Sequence, residues 1–278
     1  MKLYRVPNGI VINDTGHYYQ FGNHDWDSFV NDDQLHGKMK NMIGEAAPEK
    51  NGSDNLVSRL LAPIQSQELW ASGVTYYRSK EGREQESEDS GGAQFYTKVY
   101  EADRPELFFK ATLARISGPE EKVRIRSDSS WDVPEPELTL VISSTGKIVG
   151  YTVGNDMSSR SIEGENPLYL PQAKTYDGCA AIGPCIYVSE DPLPGETKIS
   201  LVINRNQELV YQDQIAINQM KRSPEELVSY LYRECTFPHG SLLMTGTGIV
   251  PPADFSLESG DEILINIESI GTLKNTVA

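Results

Sequence analysis

Residues 131–138 read Trp-Asp-Val-Pro-Glu-Pro-Glu-Leu, and two of them, Glu135 and Glu137, form the pair best placed to do chemistry. Pro134 and Pro136 keep the segment out of a helix, since proline lacks the N–H and disfavours helical backbone before it. In an extended strand residues i and i+2 share a face, so both carboxylates converge on one point. Two carboxylates held together repel unless a proton or a cation lies between them. Further along, Gly154-Asn155-Asp156 ends a strand pattern, and Asp156 is placed to return a third carboxylate to that point. Three oxygen ligands with room for water or substrate suit Mg²⁺ or Mn²⁺, whereas zinc would favour His or Cys. A Glu-X-Glu pair alone also describes a solvated edge strand; the flanking prolines and the later aspartate favour a cation site.

Strands must carry these side chains. Residues 138–143 alternate, turn at Thr145-Gly146 and resume over 148–153, which predicts a hairpin. A second hairpin is expected from 199–204 and 207–212 around Arg205-Asn206, and 262–270 alternates as a closing strand. Ser223 followed by Pro224 marks a helix start, with Leu227, Val228 and Leu231 on one face. Residues 1–65 read as a small N-terminal α+β domain: strands at 2–6, 9–13 and 18–21, then a helical spacing over 26–43 and a solvated loop at 46–54. A strand at 68–76 opens the main domain, 66–278. The charge-dense run 80–90, KEGREQESEDS, is either a mobile surface loop or a lid over a bound substrate. The class is mostly β with helices, α+β.

The chain has 278 residues, 25 Lys+Arg against 40 Asp+Glu and a net charge of −15, with 38% apolar residues to build a core. That balance disfavours nucleic acid and anionic bilayers as partners, because phosphates are repelled. A small anionic substrate stays compatible, since a bound cation reverses the local field. No apolar run approaches the ~18 residues that span a bilayer, and the N-terminus lacks a secretory pattern. Cys179, Cys185 and Cys235 are an odd count without metal-type spacing. Reduced thiols and a cytoplasmic location are expected.

The strings PEPEL, GYTVGNDMSSR, KTYDGCAAIGP and a late TGTG strongly resemble the fumarylacetoacetate hydrolase superfamily, in order over about residues 70 to 275. The resemblance implies a mixed β roll with a small N-terminal domain, acting as a homodimer or homotetramer. It implies one Mg²⁺, with Mn²⁺ an alternative, on Glu135, Glu137 and Asp156. It maps the superfamily's lysine near the metal onto Lys174, and the Gly-Thr near the substrate carboxylate onto Gly246 and Thr247. Hydrolytic members carry an Asn-Tyr-X-X-His-X-X-Glu segment whose His and Glu activate water. Here residues 75–82 read TYYRSKEG, with Ser79 and Gly82 at those places, and neither can run that proton transfer. The other histidines, His17, His24, His36 and His239, fit structural or surface roles.

MKLYRV, RPELFFKAT, RSDSSWDVPEPEL, ENPLYLPQAK and TGTGIVP narrow the similarity to the superfamily's sugar-acid dehydratases, although Asp177 follows the general superfamily pattern. The implied substrate is a small 2-keto acid, a 2-keto-3-deoxy pentonate such as 2-dehydro-3-deoxy-D-arabinonate. Its carboxylate and ketone would chelate the cation. The resemblance implies a route in which the C3 proton would be lost to a metal-stabilised enolate and the C4 hydroxyl would leave as water, to give 2,5-dioxopentanoate. Alternatives are an acylpyruvate hydrolase or oxaloacetate decarboxylase of the same superfamily, or a non-catalytic metal-binding scaffold. For the proton carriers, Lys174 comes first, its pKa lowered beside a cation; pairing with Asp177 or a ligand carboxylate is its plainer role. Glu106 is second, because Phe108 and Phe109 suggest an apolar setting that raises a carboxyl pKa. Glu81, in the charged run, is third. Thr75 and Phe109 are expected to line the substrate with Gly246 and Thr247, and Arg160 and Arg126 to brace the carboxylates.

Overall fold

The computed structural model describes residues 1–49, 60–86 and 93–278. The chain opens with a meander, β1 (Lys2–Val6), β2 (Gly9–Asp14) and β3 (His17–Gly22), followed by α1 (Trp26–Val30) and α2 (Leu35–Gly44). The one helical stretch expected over 26–43 is thus broken. Between the two helices Asn31-Asp32-Asp33-Gln34 turns its side chains on nearby backbone: Asp32 accepts from the Gln34 N–H at 2.9 Å and Asn31 from the Ser144 N–H at 2.7 Å. Short polar side chains compete with a helix in this way. Next come β4 (Glu68–Gly73), α3 (Tyr77–Glu86), α4 (Ala93–Glu101) and β5 (Glu106–Ala111). The charged run is therefore helical through residue 86, and residues 87–90 lie outside the described residues. Glu, Lys, Arg and Gln are good helix formers, and the start is pinned where Ser79 Oγ donates to the Tyr76 carbonyl at 2.8 Å.

The central stretch holds β6 (Ile116–Ser117), β7 (Lys122–Val123), β8 (Asp132–Val133), β9 (Pro136–Ile142), β10 (Ile148–Asp156) and β11 (Ser158–Ser159). It continues into α5 (Arg160–Glu165) and α6 (Leu170–Lys174). The remainder is β12 (Ala180–Tyr187), β13 (Lys198–Arg205), β14 (Glu208–Ala216), α7 (Pro224–Leu231), β15 (Ser241–Met244), β16 (Glu262–Ile267) and β17 (Gly271–Val277). Both expected hairpins form. The second turns on Asn206 and Gln207, one residue later than expected, and both have positive φ (53° and 68°), as a two-residue hairpin loop of this twist demands.

Ten strands form one sheet, in the order β3-β2-β1-β12-β10-β9-β15-β4-β5 with β6 alongside β12; a second sheet runs β14-β13-β16-β17-β7. The N-terminal meander joins the large sheet through β1, which pairs antiparallel with β12. One face of the large sheet meets the second sheet in a core that includes Leu138, Leu140, Val153, Leu201, Ile263 and Ile265. The other face is covered by α1 and α2 through Trp26, Phe29, Leu35 and Met39. Every residue of β9 is buried, so the strand that begins at the Glu-X-Glu segment lies in the middle of the molecule.

Candidate metal centre

The β9–β10 pairing builds the site. Glu137 lies opposite Gly154 and Pro136 opposite Asn155, and the Asp156 N–H donates to the Glu135 carbonyl at 2.9 Å. Glu135, Glu137 and Asp156 each bring a carboxylate oxygen to within 4.8 Å of the others, all buried. Burial raises the Glu137 carboxyl well above its usual range, and Asp156 and Glu135 push it further. Burial would raise Asp156 as well, but Lys110 and then Lys174 hold it below the usual range. An all-oxygen set this close, with one member driven to keep its proton, fits a hard divalent cation that would take the proton's place.

Cations surround the cluster. Lys174 Nζ donates to Glu135 Oε2 at 2.7 Å, Asp156 Oδ2 at 3.1 Å and Ser158 Oγ at 2.6 Å. Of its two plainer roles, pairing with the Glu135 and Asp156 carboxylates is the one found; Asp177 is exposed and faces Arg115 at 3.7 Å. Lys110, 0% exposed, sits 2.5 Å from Asp156 Oδ1 and donates to the carbonyls of Met157 and Lys174. Arg160 Nη2 donates to Glu135 Oε1 at 2.8 Å, and Arg83 Nη2 reaches the same oxygen at 3.3 Å. Arg83 is also ion-paired with the buried Glu163 of α5. Arg126 does not brace the cluster: it binds Asp128 at 2.6 and 2.8 Å near the surface.

Strand β5 supplies one wall. Its alternation puts Glu106, Phe108 and Lys110 on one face, and the Phe108 ring lies 5.9 Å from Lys174 Nζ. Phe109, expected to line the substrate, points to the opposite face and packs edge-on against Trp70. Burial raises the Glu106 carboxyl, which borders a cavity of about 380 Å³ lined by Phe95, Tyr96, Val99, Leu168 and Leu170 among others. Glu81 is exposed on α3; it lies roughly 200° around the helix from Arg83, whose side chain faces the cluster.

The loop after β15 closes the site from below. Gly246 has φ +92° and its N–H donates to Glu137 Oε2 at 2.6 Å. A Cβ there would stand 2.1 Å from Thr75 Oγ1, so a side chain is excluded by both backbone and space. Thr75 Oγ1 donates to the Thr245 carbonyl at 2.7 Å, and Thr247 Oγ1 accepts from the Ile249 N–H at 3.2 Å. These contacts hold the loop in place, with the Gly246 N–H against the Glu137 carboxylate. Sequence reading passed over Lys110, Ser158, Arg83 and Glu163. The two-residue period of β5, carried on from Glu106, would have found Lys110; nothing local in the sequence announces that Arg83 and Glu163 meet.

The family model described as fumarylacetoacetate (FAA) hydrolase C-terminal matches residues 83–278. The chain is 52% identical over 216 residues, covering 77% of it and 73% of the relative, to the probable 2-keto-3-deoxyxylonate dehydratase of Haloferax volcanii. It is 45% identical over 217 residues, with the same coverage, to the 2-dehydro-3-deoxy-D-arabinonate dehydratase of Saccharolobus solfataricus. Among solved structures, 2-keto-3-deoxy-D-arabinonate dehydratase complexed with magnesium and 2,5-dioxopentanoate superposes with a TM-score of 0.83 at 37% identity, over 100% of this chain and 98% of that one. The mixed sheets, the buried carboxylates of the β9–β10 hairpin and the match over the C-terminal two-thirds lead to one conclusion: this chain belongs to the fumarylacetoacetate hydrolase family.

Proposed function

We propose that the chain is a Mg²⁺-dependent dehydratase of 2-keto-3-deoxy pentonates, converting a substrate such as 2-dehydro-3-deoxy-D-arabinonate to 2,5-dioxopentanoate. The observation that carries this is the buried cluster of Glu135, Glu137 and Asp156 in a chain whose near relatives bear dehydratase names. Residues 66–278 would be the catalytic unit and 1–65 a unit attached to it. The absence of a His at position 79 and of a Glu at 82 counts against the hydrolytic alternative, because no water-activating dyad stands there.

Glu135, Glu137 and Asp156 would hold the cation. When bound it would polarise the C2 ketone and stabilise the negative charge that develops when C3 loses its proton. The rest falls to side chains. Lys174, which reaches Glu135 and Asp156 and lies over the Phe108 ring, is our candidate to take the C3 proton, acting as the neutral amine once the cation has taken over those carboxylates. Glu106, whose carboxyl burial favours in the protonated form, is our candidate to give a proton to the C4 hydroxyl as it departs as water. The C3–C4 double bond left behind reaches the 2,5-dioxo acid by moving a proton from C5 to C3 and another from the C5 hydroxyl to C4. Gly246, Thr247 and Thr75 would shape the end of the site that receives the substrate carboxylate. Three unpaired cysteines fit action in the reducing cytoplasm, and we take the active form to be a homodimer or homotetramer.

The test is incubation of the purified protein with a 2-keto-3-deoxy pentonate and Mg²⁺. A 2,5-dioxo product that disappears with chelator supports the proposal. Pyruvate released from an acylpyruvate or oxaloacetate instead points to the hydrolase or decarboxylase. Silence toward every 2-keto acid, with tight Mg²⁺ binding, points to a non-catalytic scaffold.

A further inference from the structure

Glu163 lies outside the three-carboxylate cluster, yet it is 0% exposed on α5. Its Oε1 is ion-paired with Nη1 of Arg83. The other nitrogen of that guanidinium, Nη2, lies 3.3 Å from Oε1 of Glu135. Arg83 therefore bridges α5 and a ligand carboxylate, and it does so from α3, with the Tyr96 ring of α4 at 6.0 Å. Three helices meet the cation site through this one side chain.

The charges around the cluster make the bridge informative. Among the described residues, Arg160, Lys174 and Lys110 each pair directly with Glu135 or Asp156. Arg83 is a fourth cation, on Glu135. Uncompensated, it would set a positive charge within a few ångströms of the point where a dication must bind, in surroundings that screen poorly. Glu163 faces it from the far side and offsets that charge.

We propose that Glu163 is a positioning residue for the cation site. By offsetting the Arg83 charge, it lets α3 hold Glu135 in place with less positive charge opposing the metal. This rests on the reading of Glu135, Glu137 and Asp156 as a Mg²⁺ site, and it separates the geometric role of Arg83 from its electrostatic cost. A pair that only stabilised the fold would leave the Mg²⁺ affinity of the folded protein unchanged when Glu163 alone is neutralised.

The experiment is calorimetric titration of the metal-free full-length protein with MgCl₂, alongside thermal melts, for wild type, Glu163→Gln and the double variant R83Q/E163Q. In Glu163→Gln the unmasked Arg83 weakens Mg²⁺ binding by about tenfold or more, the scale of lost outer-sphere support. In the double variant, where neither charge remains, affinity returns to within about fivefold of wild type. Glu163→Gln binding within about fivefold of wild type overturns the proposal, as does a double variant no tighter than Glu163→Gln. Should Glu163→Gln not fold, R83Q is set against the double variant: R83Q, which keeps the Glu163 charge, binds Mg²⁺ about tenfold or more tightly than R83Q/E163Q, and affinities within about fivefold of each other overturn the proposal. A wild type that binds no Mg²⁺ removes the metal reading and this proposal together; a wild type that binds, with an unresponsive Glu163→Gln, removes this proposal alone.

Discussion

Glu137 combines two demands: it is placed to share a cation with Glu135 and Asp156, and without one its carboxyl is driven to keep a proton. A carboxyl raised in the folded state stabilises it most at low pH, and that contribution is lost as pH climbs from the ordinary carboxyl range through the raised value. The metal-free protein is therefore expected to melt at falling temperatures across that window, at up to about 1.4 kcal/mol per pH unit for the one proton retained. Mg²⁺ should restore the loss, and Glu137→Gln should flatten the profile; melts with and without MgCl₂ read all three. The same substitution should cut Mg²⁺-dependent turnover at least about 100-fold with the native circular dichroism kept. At Glu106, replacement by Gln removes a proton donor while keeping size, so kcat should fall by about 10²-fold with KM little changed. Steady-state kinetics would show it. Much of the placement was legible in the residues: the Pro-Glu-Pro-Glu string put both glutamates on one face, and Asp156 followed from the hairpin. Phe109 went astray because composition suggested an apolar wall without saying which of two adjacent phenylalanines faced it.

At the scale of elements, the hairpins and α7 were readable because their signals are local. Ser223 accepts from the Glu226 N–H at 3.1 Å, the capping contact its position announces. The break between α1 and α2 and the helix α3 were not readable, the first because polar side chains compete with the backbone, the second because a charge-rich run describes both a loop and a solvated helix. The pairing of β4 with β5 offers a test of how closely elements control chemistry. Gly73 lies opposite Glu106, and a Cβ there would stand 2.0 Å from Glu106 Oε2. Since the obstacle is the tip of a flexible side chain, Gly73→Ala should fold normally but displace that carboxylate. A melting temperature near wild type with kcat down by about tenfold to 100-fold is expected. Melts and kinetics on one preparation would check it.

Over the whole molecule, the net charge of −15 divides into two populations. A few carboxylates are buried and matched by buried cations; others, such as Asp128 and Asp177, lie at the surface. Thiols divide in the same manner. Cys185 is pushed up to about 12 by burial, Cys179 is buried and Cys235 exposed. A thiol reagent should therefore titrate one cysteine in the native protein, at Cys235, and all three after denaturation; mass spectrometry of the labelled peptides identifies the site. Sequence alone could count three reduced cysteines but could not sort them, since access depends on which sheet face each strand turns inward.

All three proposed ligands belong to a single hairpin, at the end remote from its turn. A cation there would act as a reversible cross-link between the two strand ends, beside the Asp156 N–H bond to the Glu135 carbonyl and the Lys174 bridge. The turn closes one end of the ladder by covalent connection, and the ion would close the other by coordination. Removing it would then leave that end to the Lys174 bridge and one backbone hydrogen bond, with the turn intact.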